Sequence, residues 1–165
     1  MSGGFDEFVV IRGPALLRFA HVLCGNAHLA EDLVQEVLAR VHRRWDRIER
    51  MDGPEAYVRR AVVREFLSWR RRRASREAVL ADLPDRPVDE DAAQRHAARD
   101  EMWCLLAGLP RAQRAVLVLR FYDDLTDIEI AEVLGCAPST VRAHASRALA
   151  RLRTTLQHTV EVNHG

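Results

Sequence analysis

Ser139, Thr140, Arg142, Ala143, His144, Ser146 and Arg147 sit close together in a stretch that contains no acidic side chain from Ala137 to Leu156. Hydroxyls and guanidinium groups donate hydrogen bonds, and small side chains let a backbone come close to a partner. The chemistry these residues offer is recognition of a polyanion through base edges and phosphates rather than bond-making. A second cluster consists of Arg59, Arg60, Arg64 and the run Arg70 to Arg73, interleaved with Tyr57, Phe66 and Trp69. Such a positive stripe would neutralise phosphates with counterion release. The three aromatic rings fit two roles, as core residues or as stacking surfaces for an unpaired base. A third group, Asp32, Gln35 and Glu36, is acidic and amidic and suits a basic protein surface, although a solvated helix face would carry the same residues. Enzymatic sets are missing from the sequence: there is no HExxH, no glycine-rich phosphate loop and no arguable Ser-His-acid group. His42, His96 and His144 have no companion at metal-ligand spacing, so neither a catalytic residue, a metal nor a cofactor is expected.

These groups need rigid elements to hold them. Thr126-Asp127-Ile128-Glu129 is a Thr-x-x-Glu capping box that starts a helix. Gly135 is the residue that most easily takes the left-handed conformation closing one. Pro138 suits the first position of a second helix, with Ala137 before it unable to supply a side-chain cap. The result is a helix-turn-helix. In its second helix Val141, Ala145, Ala148 and Leu152 form the buried stripe, so Ser139, Ala143 and Arg147 point away from the core and Thr140, Arg142 and Ser146 flank them.

Upstream, the periodicity predicts helices over Pro14 to Leu23, Ala27 to Trp45 and Pro54 to about Arg73, broken at Gly25-Asn26 and Asp52-Gly53. Ala30, Val34, Val37, Val41 and Trp45 form the apolar face of the second, with Asp32, Gln35, Glu36 and Arg40 toward the other side. Val58, Val62, Phe66 and Trp69 form that of the third. Four more helices are predicted between about Asp100 and Gln157. From Glu77 to Arg99 the pattern lapses into acid and proline, including Asp82-Leu83-Pro84-Asp85-Arg86-Pro87 and Asp89-Glu90-Asp91, which reads as a linker. The fold class is therefore all-α: two small helical domains joined by a flexible acidic linker, the second containing the helix-turn-helix. The boundaries are 1–76, 77–98 and 99–160. Limited proteolysis is expected to cut first within the linker, where little apolar surface offsets ordering entropy; earliest cuts inside the helices would refute the division.

The 165 residues, 48% apolar and 30% charged, fit a globular protein, and the formal net charge of +1 hides the segregation of charge into blocks. No apolar run approaches the roughly 20 residues of a membrane span, and the N-terminus lacks the features of a signal peptide, so a cytoplasmic location with no membrane contact is expected. Cys24, Cys104 and Cys136 form no CxxC pair, lie in apolar stretches and are expected to be buried structural thiols.

Ala30-Glu31-Asp32-Leu33-Val34-Gln35-Glu36-Val37 resembles the core-binding helix of sigma factors of the sigma-seventy superfamily. Leu109-Pro110 through Gln113-Arg114-Ala115-Val116-Leu117 resembles the opening of their second conserved domain. The likeness continues through Ile130-Ala131-Glu132-Val133-Leu134-Gly135, Ser139-Thr140-Val141-Arg142 and Ser146-Arg147-Ala148-Leu149-Ala150-Arg151-Leu152-Arg153. Both domains are covered in order, and with no further domain between them the minimal extracytoplasmic-function class (group 4) is implied. The resemblance implies that Asp32, Gln35 and Glu36 dock on the clamp coiled coil of the largest subunit of RNA polymerase core. Arg59, Arg60, Arg64, Arg70 and Arg71, with the loop before them, would open and hold the minus-ten element. Ser139, Thr140, Arg142, Ala143, His144, Ser146 and Arg147 would read the minus-thirty-five element. It also admits an anti-sigma factor as a partner, and the linker would thread toward the polymerase RNA path or act as a spacer. The sequence departs from the family pattern at Arg64, where asparagine is common, and at Ser68, where aspartate is common. Without the resemblance, two other readings stay open. One is a two-domain transcriptional regulator that binds no core, which co-elution with core polymerase discriminates. The other is a helical scaffold that titrates an anti-sigma partner, which would bind core or inhibitor without transcription.

Overall fold

The structure, a computed structural model, describes residues 3–77 and 105–164, without the side chains of 69–77. The described residues are helical, with no strand among them. The chain divides into two compact units, Met1–Arg86 and Pro87–Gly165. The predicted linker from residue 78 onward, Cys104 and His96 lie outside the described residues.

In the first unit, helix α1 spans Gly3–Cys24 and so begins well before the predicted start at Pro14. The reason is aromatic packing. Phe5 and Phe8 lie 5.6 and 4.9 Å from the Trp45 ring, and Phe5 lies 4.7 Å from His42, which anchors the first turns. Pro14 inside the helix is tolerated because both it and Val10, whose carbonyl it leaves without a helical donor, are exposed to water. Gly25 (φ 69°) turns the chain, and the Asn26 side chain accepts from the Leu29 amide at 3.0 Å to cap α2, Ala27–Arg43. The predicted helix to Trp45 divides at Arg44, and a single turn, α3 (Trp45–Ile48), directs Trp45 and Ile48 inward. Gly53 (φ 86°) precedes α4, Pro54–Glu77. Val58, Val62, Val63 and Phe66 are completely or almost completely buried, and burying each such side chain stabilises by roughly 1.5–3 kcal/mol. Phe66 is thus a core residue, not a stacking surface; Tyr57 is half-buried, and the Trp69 side chain lies outside the described residues.

In the second unit, α5 spans Arg111–Leu117 and continues into a π-helical turn, Val118–Tyr122. The turn closes through the Asp123 amide donating to the Val118 carbonyl at 3.1 Å. The predicted break at Asp123-Asp124-Leu125 is present, with Asp124 in the left-handed region (φ 54°). Helices α6 (Asp127–Leu134) and α7 (Pro138–Asn163) complete the unit. Leu109, Leu117 and Ala148 form one cluster of its core, with Leu106, Leu149 and Leu152 packed around them, and Val116, Leu119, Ile130, Val141 and Ala145 are buried as well. Helix α7 outlasts the predicted end near Gln157, and every residue from Arg153 to His164 is exposed. Cys24 and Cys136 are half-buried rather than buried, because both sit at a helix end, Cys24 as the last residue of α1 and Cys136 just after the Gly135 cap of α6.

Candidate nucleic-acid interface

The helix-turn-helix is built from local chemistry. The Thr126 hydroxyl accepts from the Glu129 amide at 3.3 Å while the Glu129 carboxylate accepts from the Thr126 amide at 2.7 Å, so two end donors are satisfied reciprocally. Asp127 adds an ion pair with Arg120 of the π turn, which ties the start of α6 to the preceding element. At the other end Gly135 adopts φ 68° and ψ 39°, and the chain reverses before Pro138. Ala137 makes no side-chain cap, as its type dictates.

Along α7, Val141, Ala145 and Ala148 are buried and Leu152 is half-buried, which fixes the rotation of the helix. Ser139, Thr140, Arg142, Ser146 and Arg147 are exposed together on the opposite side. Ala143 and His144 are half-buried, so Ala143 does not project fully away from the core as expected. The His144 Nδ1 is enclosed without a hydrogen-bond partner among the described residues. The exposed surface of the candidate interface is therefore small hydroxyl side chains at the helix start with a guanidinium on either side.

The arginine helix is less uniform than its sequence suggests. Arg59 bonds Glu55 at 3.1 Å, and its guanidinium lies 5.4 Å from the centre of the Phe19 ring. Arg12 of α1 reaches the same Glu55 at 3.2 Å. Arg59 thereby braces α4 against α1. Arg60 is half-buried and Arg64 is exposed; Arg70 and Arg71 lie on the backbone of α4, but their side chains are outside the described residues. On α2, Asp32, Gln35 and Glu36 are all exposed, while Leu33, Val34 and Val37 face inward. One residue of consequence escaped the sequence reading. Glu65 is 3% exposed and pairs with Arg40 of α2. The signal was available, since position 65 falls inside the apolar stripe Val58, Val62, Phe66, where an acid demands a partner.

A helix-turn-helix whose second helix carries no acidic side chain from Pro138 to Leu156, preceded by a separate helical unit with a basic and an acidic face, defines a DNA-binding transcription protein. Comparison with known proteins narrows this. Residues 9–76 match the family model for Sigma-70 region 2, and residues 99–152 match that for Sigma-70, region 4. The RNA polymerase sigma-E factor of Streptomyces coelicolor is 40% identical over 152 residues, covering 92% of this chain and 85% of that protein. The ECF RNA polymerase sigma factor ShbA of Streptomyces griseus is 37% identical, covering 85% and 81%. The fold is similar to that of the sigma factor RpoE from Bartonella quintana, solved in complex with the anti-sigma factor NepR, with a TM-score of 0.70 and 23% identity over 93% of this chain and 97% of that one. The chain belongs to the extracytoplasmic-function sigma factors of the sigma-70 family.

No described helix is long and apolar enough to cross a membrane.

Proposed function

We infer that this chain is a transcription initiation factor that binds RNA polymerase core and directs promoter-specific initiation by recognising the minus-ten and minus-thirty-five elements. The observation that carries this reading is the order of the two matched regions along one chain, the first with an exposed acidic helix face and the second with a recognition helix that carries no acid from Pro138 to Leu156. Residues 1–76 serve core binding and the minus-ten element, residues 77–98 connect, and residues 99–160 serve the minus-thirty-five element. Asp32, Gln35 and Glu36 dock on the clamp coiled coil of the largest polymerase subunit. Arg60, Arg64, Arg70 and Arg71 contact the minus-ten region, with Arg59 acting through its brace on Glu55 and Phe19. The protein works in the cytoplasm and leaves bond formation to the polymerase. Because its structural neighbour was solved with an anti-sigma factor, an inhibitor of that kind is a proposed partner here as well. Run-off transcription from genomic fragments with purified core tests the whole reading: absence of promoter-dependent transcripts would refute it.

The recognition helix allows a finer test. Arg147 projects opposite the buried Val141, Ala145 and Ala148, whereas Arg142 lies nearer their edge. A bidentate arginine–guanine contact is worth about 1–3 kcal/mol of discrimination, whereas a phosphate contact weakens all sequences alike. Arg147→Ala is expected to relax preference at one base pair of the upstream element, and Arg142→Ala to lower affinity uniformly and flatten the salt slope. Binding of both variants to a panel of single-substitution upstream elements at fixed salt, with the salt slope then recorded for each, checks this. The reverse pattern would show that the helix is rotated otherwise in the groove, whereas an unchanged preference in both variants would pass base reading to Ser139, Thr140 and Ala143 at an N-terminal end that enters first.

A further inference from the structure

His144, His158 and His164 lie along α7 or at its end, and their rings are used differently. In His158 and His164, Nδ1 meets the carbonyl one turn back, that of Thr154 at 2.9 Å and that of Val160 at 3.0 Å. A carbonyl only accepts, so in these two rings the proton sits on Nδ1. His144 makes no such bond to Thr140: its Nδ1 is enclosed and has no partner among the described residues. The residue as a whole is half-buried, and its Nε2 is not among the enclosed atoms. The ring therefore stands with Nδ1 inward and Nε2 toward water.

Which nitrogen carries the proton follows from that orientation. An imidazole with one proton has one donor and one acceptor nitrogen. Enclosing an N–H with no acceptor is the costlier defect, so the proton belongs on Nε2, the outward side. The position of the residue then says what the donor meets. At about 100° per residue, His144 lies about 70° to one side of the middle of the buried stripe Val141, Ala145 and Ala148, and Arg142 lies about 90° to the other. A helix seated in the major groove turns its outer face to the base edges and its two flanks to the phosphate walls. On the His144 flank the neighbours one turn away, Thr140 and Arg147, are both exposed, so the ring is not covered from that side.

We propose that His144 is a phosphate contact of the recognition helix, in which Nε2–H donates to a backbone oxygen on the wall opposite the one that Arg142 meets. The inference rests on the proposed reading of the upstream element by α7 and adds the atom, the tautomer and the DNA group. Enclosure of the inner edge holds the ring in place before DNA arrives, so little freedom is lost when the bond forms.

The test measures binding of the full chain to a duplex carrying the upstream element of a promoter found by run-off transcription, with circular dichroism to verify folding. The variants are His144→Ala, His144→Gln and His144→Asn. A glutamine amide nitrogen reaches the place of Nε2, whereas that of asparagine reaches only the place of Nδ1. His144→Ala and His144→Asn are expected to weaken binding about five- to tenfold for every single-substitution element alike, and His144→Gln to stay within about twofold of wild type. Duplexes with one phosphate at a time replaced by an uncharged methylphosphonate locate the acceptor: at one position the wild type loses affinity and His144→Ala loses no more. Wild-type binding by His144→Ala, asparagine serving as well as glutamine, a changed base preference, or no phosphate that is silent in the alanine variant overturns the inference. Those outcomes leave the reading of α7 intact as long as the wild type prefers the element to a scrambled duplex. Absence of that preference overturns the reading, and the inference with it.

Discussion

Replacing Asp32 and Glu36 together by lysine is expected to leave a folded chain that binds RNA polymerase core at least about 100-fold more weakly, since a well-placed charge at an interface is commonly worth tenfold or more and each change turns an attraction into a repulsion. Both side chains are exposed, and the inward residues Leu33, Val34 and Val37 are untouched, so helix α2 has no reason to unfold. Lysine also has a better helix propensity than aspartate. Binding of the second unit to an upstream promoter element should be unchanged, which separates a docking defect from general damage. A titration of labelled variant against core decides the matter: affinity within a few-fold of wild type would refute the assignment of the α2 face.

The largest stability effect is expected at Phe19. Its ring is fully buried on α1, and the Arg59 guanidinium of α4 lies over it. Phe19→Ala removes a large volume from a small core, a change that costs about 3–5 kcal/mol, and takes away the surface against which Arg59 rests. Small helical units hold only modest reserves of stability, so a loss of that size leaves much of the first unit unfolded at growth temperature. Thermal unfolding followed by circular dichroism should show an early transition for the first unit and an unshifted one for the second. A single transition at the wild-type temperature would mean that the site collapses around the missing ring without loss.

The two predictions draw on different depths of sequence information. The helix-turn-helix was legible almost to the residue because its signals are local: Thr126 with Glu129, Gly135 and Pro138 each act within one turn of the chain. The exposed acids of α2 were legible for the same reason, since periodicity alone assigns a face. The early start of α1 was not, because it depends on Phe5 and Phe8 meeting Trp45, a contact between distant parts of the chain. The division at Arg44 has the same origin, in the need to turn Trp45 and Ile48 into the core. Charge at the candidate site was the least legible property. A run of arginines on α4 looks equivalent in sequence, yet Arg59 is tied to Glu55 and Phe19 and Arg60 is half-buried, while Arg64 is exposed. Which basic group is used internally is decided by the neighbouring helices, and α1 and α2 supply that information only once folded.

Helix α7 continues for its last turns with its residues exposed, and there hydroxyl and imidazole groups of Thr154, Thr155, His158, Thr159 and His164 bond to carbonyls one turn back. A free peptide of that length is scarcely helical in water, because nucleation is costly and a dozen residues repay it poorly. This arm needs no nucleus of its own: the preceding turns, pinned by Val141, Ala145 and Ala148, act as a template from which it zips. Opening must then proceed inward from the C-terminal end. A single continuous helix would show a gradient of amide hydrogen exchange along its length, fastest at Asn163 and slowest in the turns pinned by Val141, Ala145 and Ala148, so that the candidate residues Arg142, Ser146 and Arg147 sit on the most rigid part of the element that carries them.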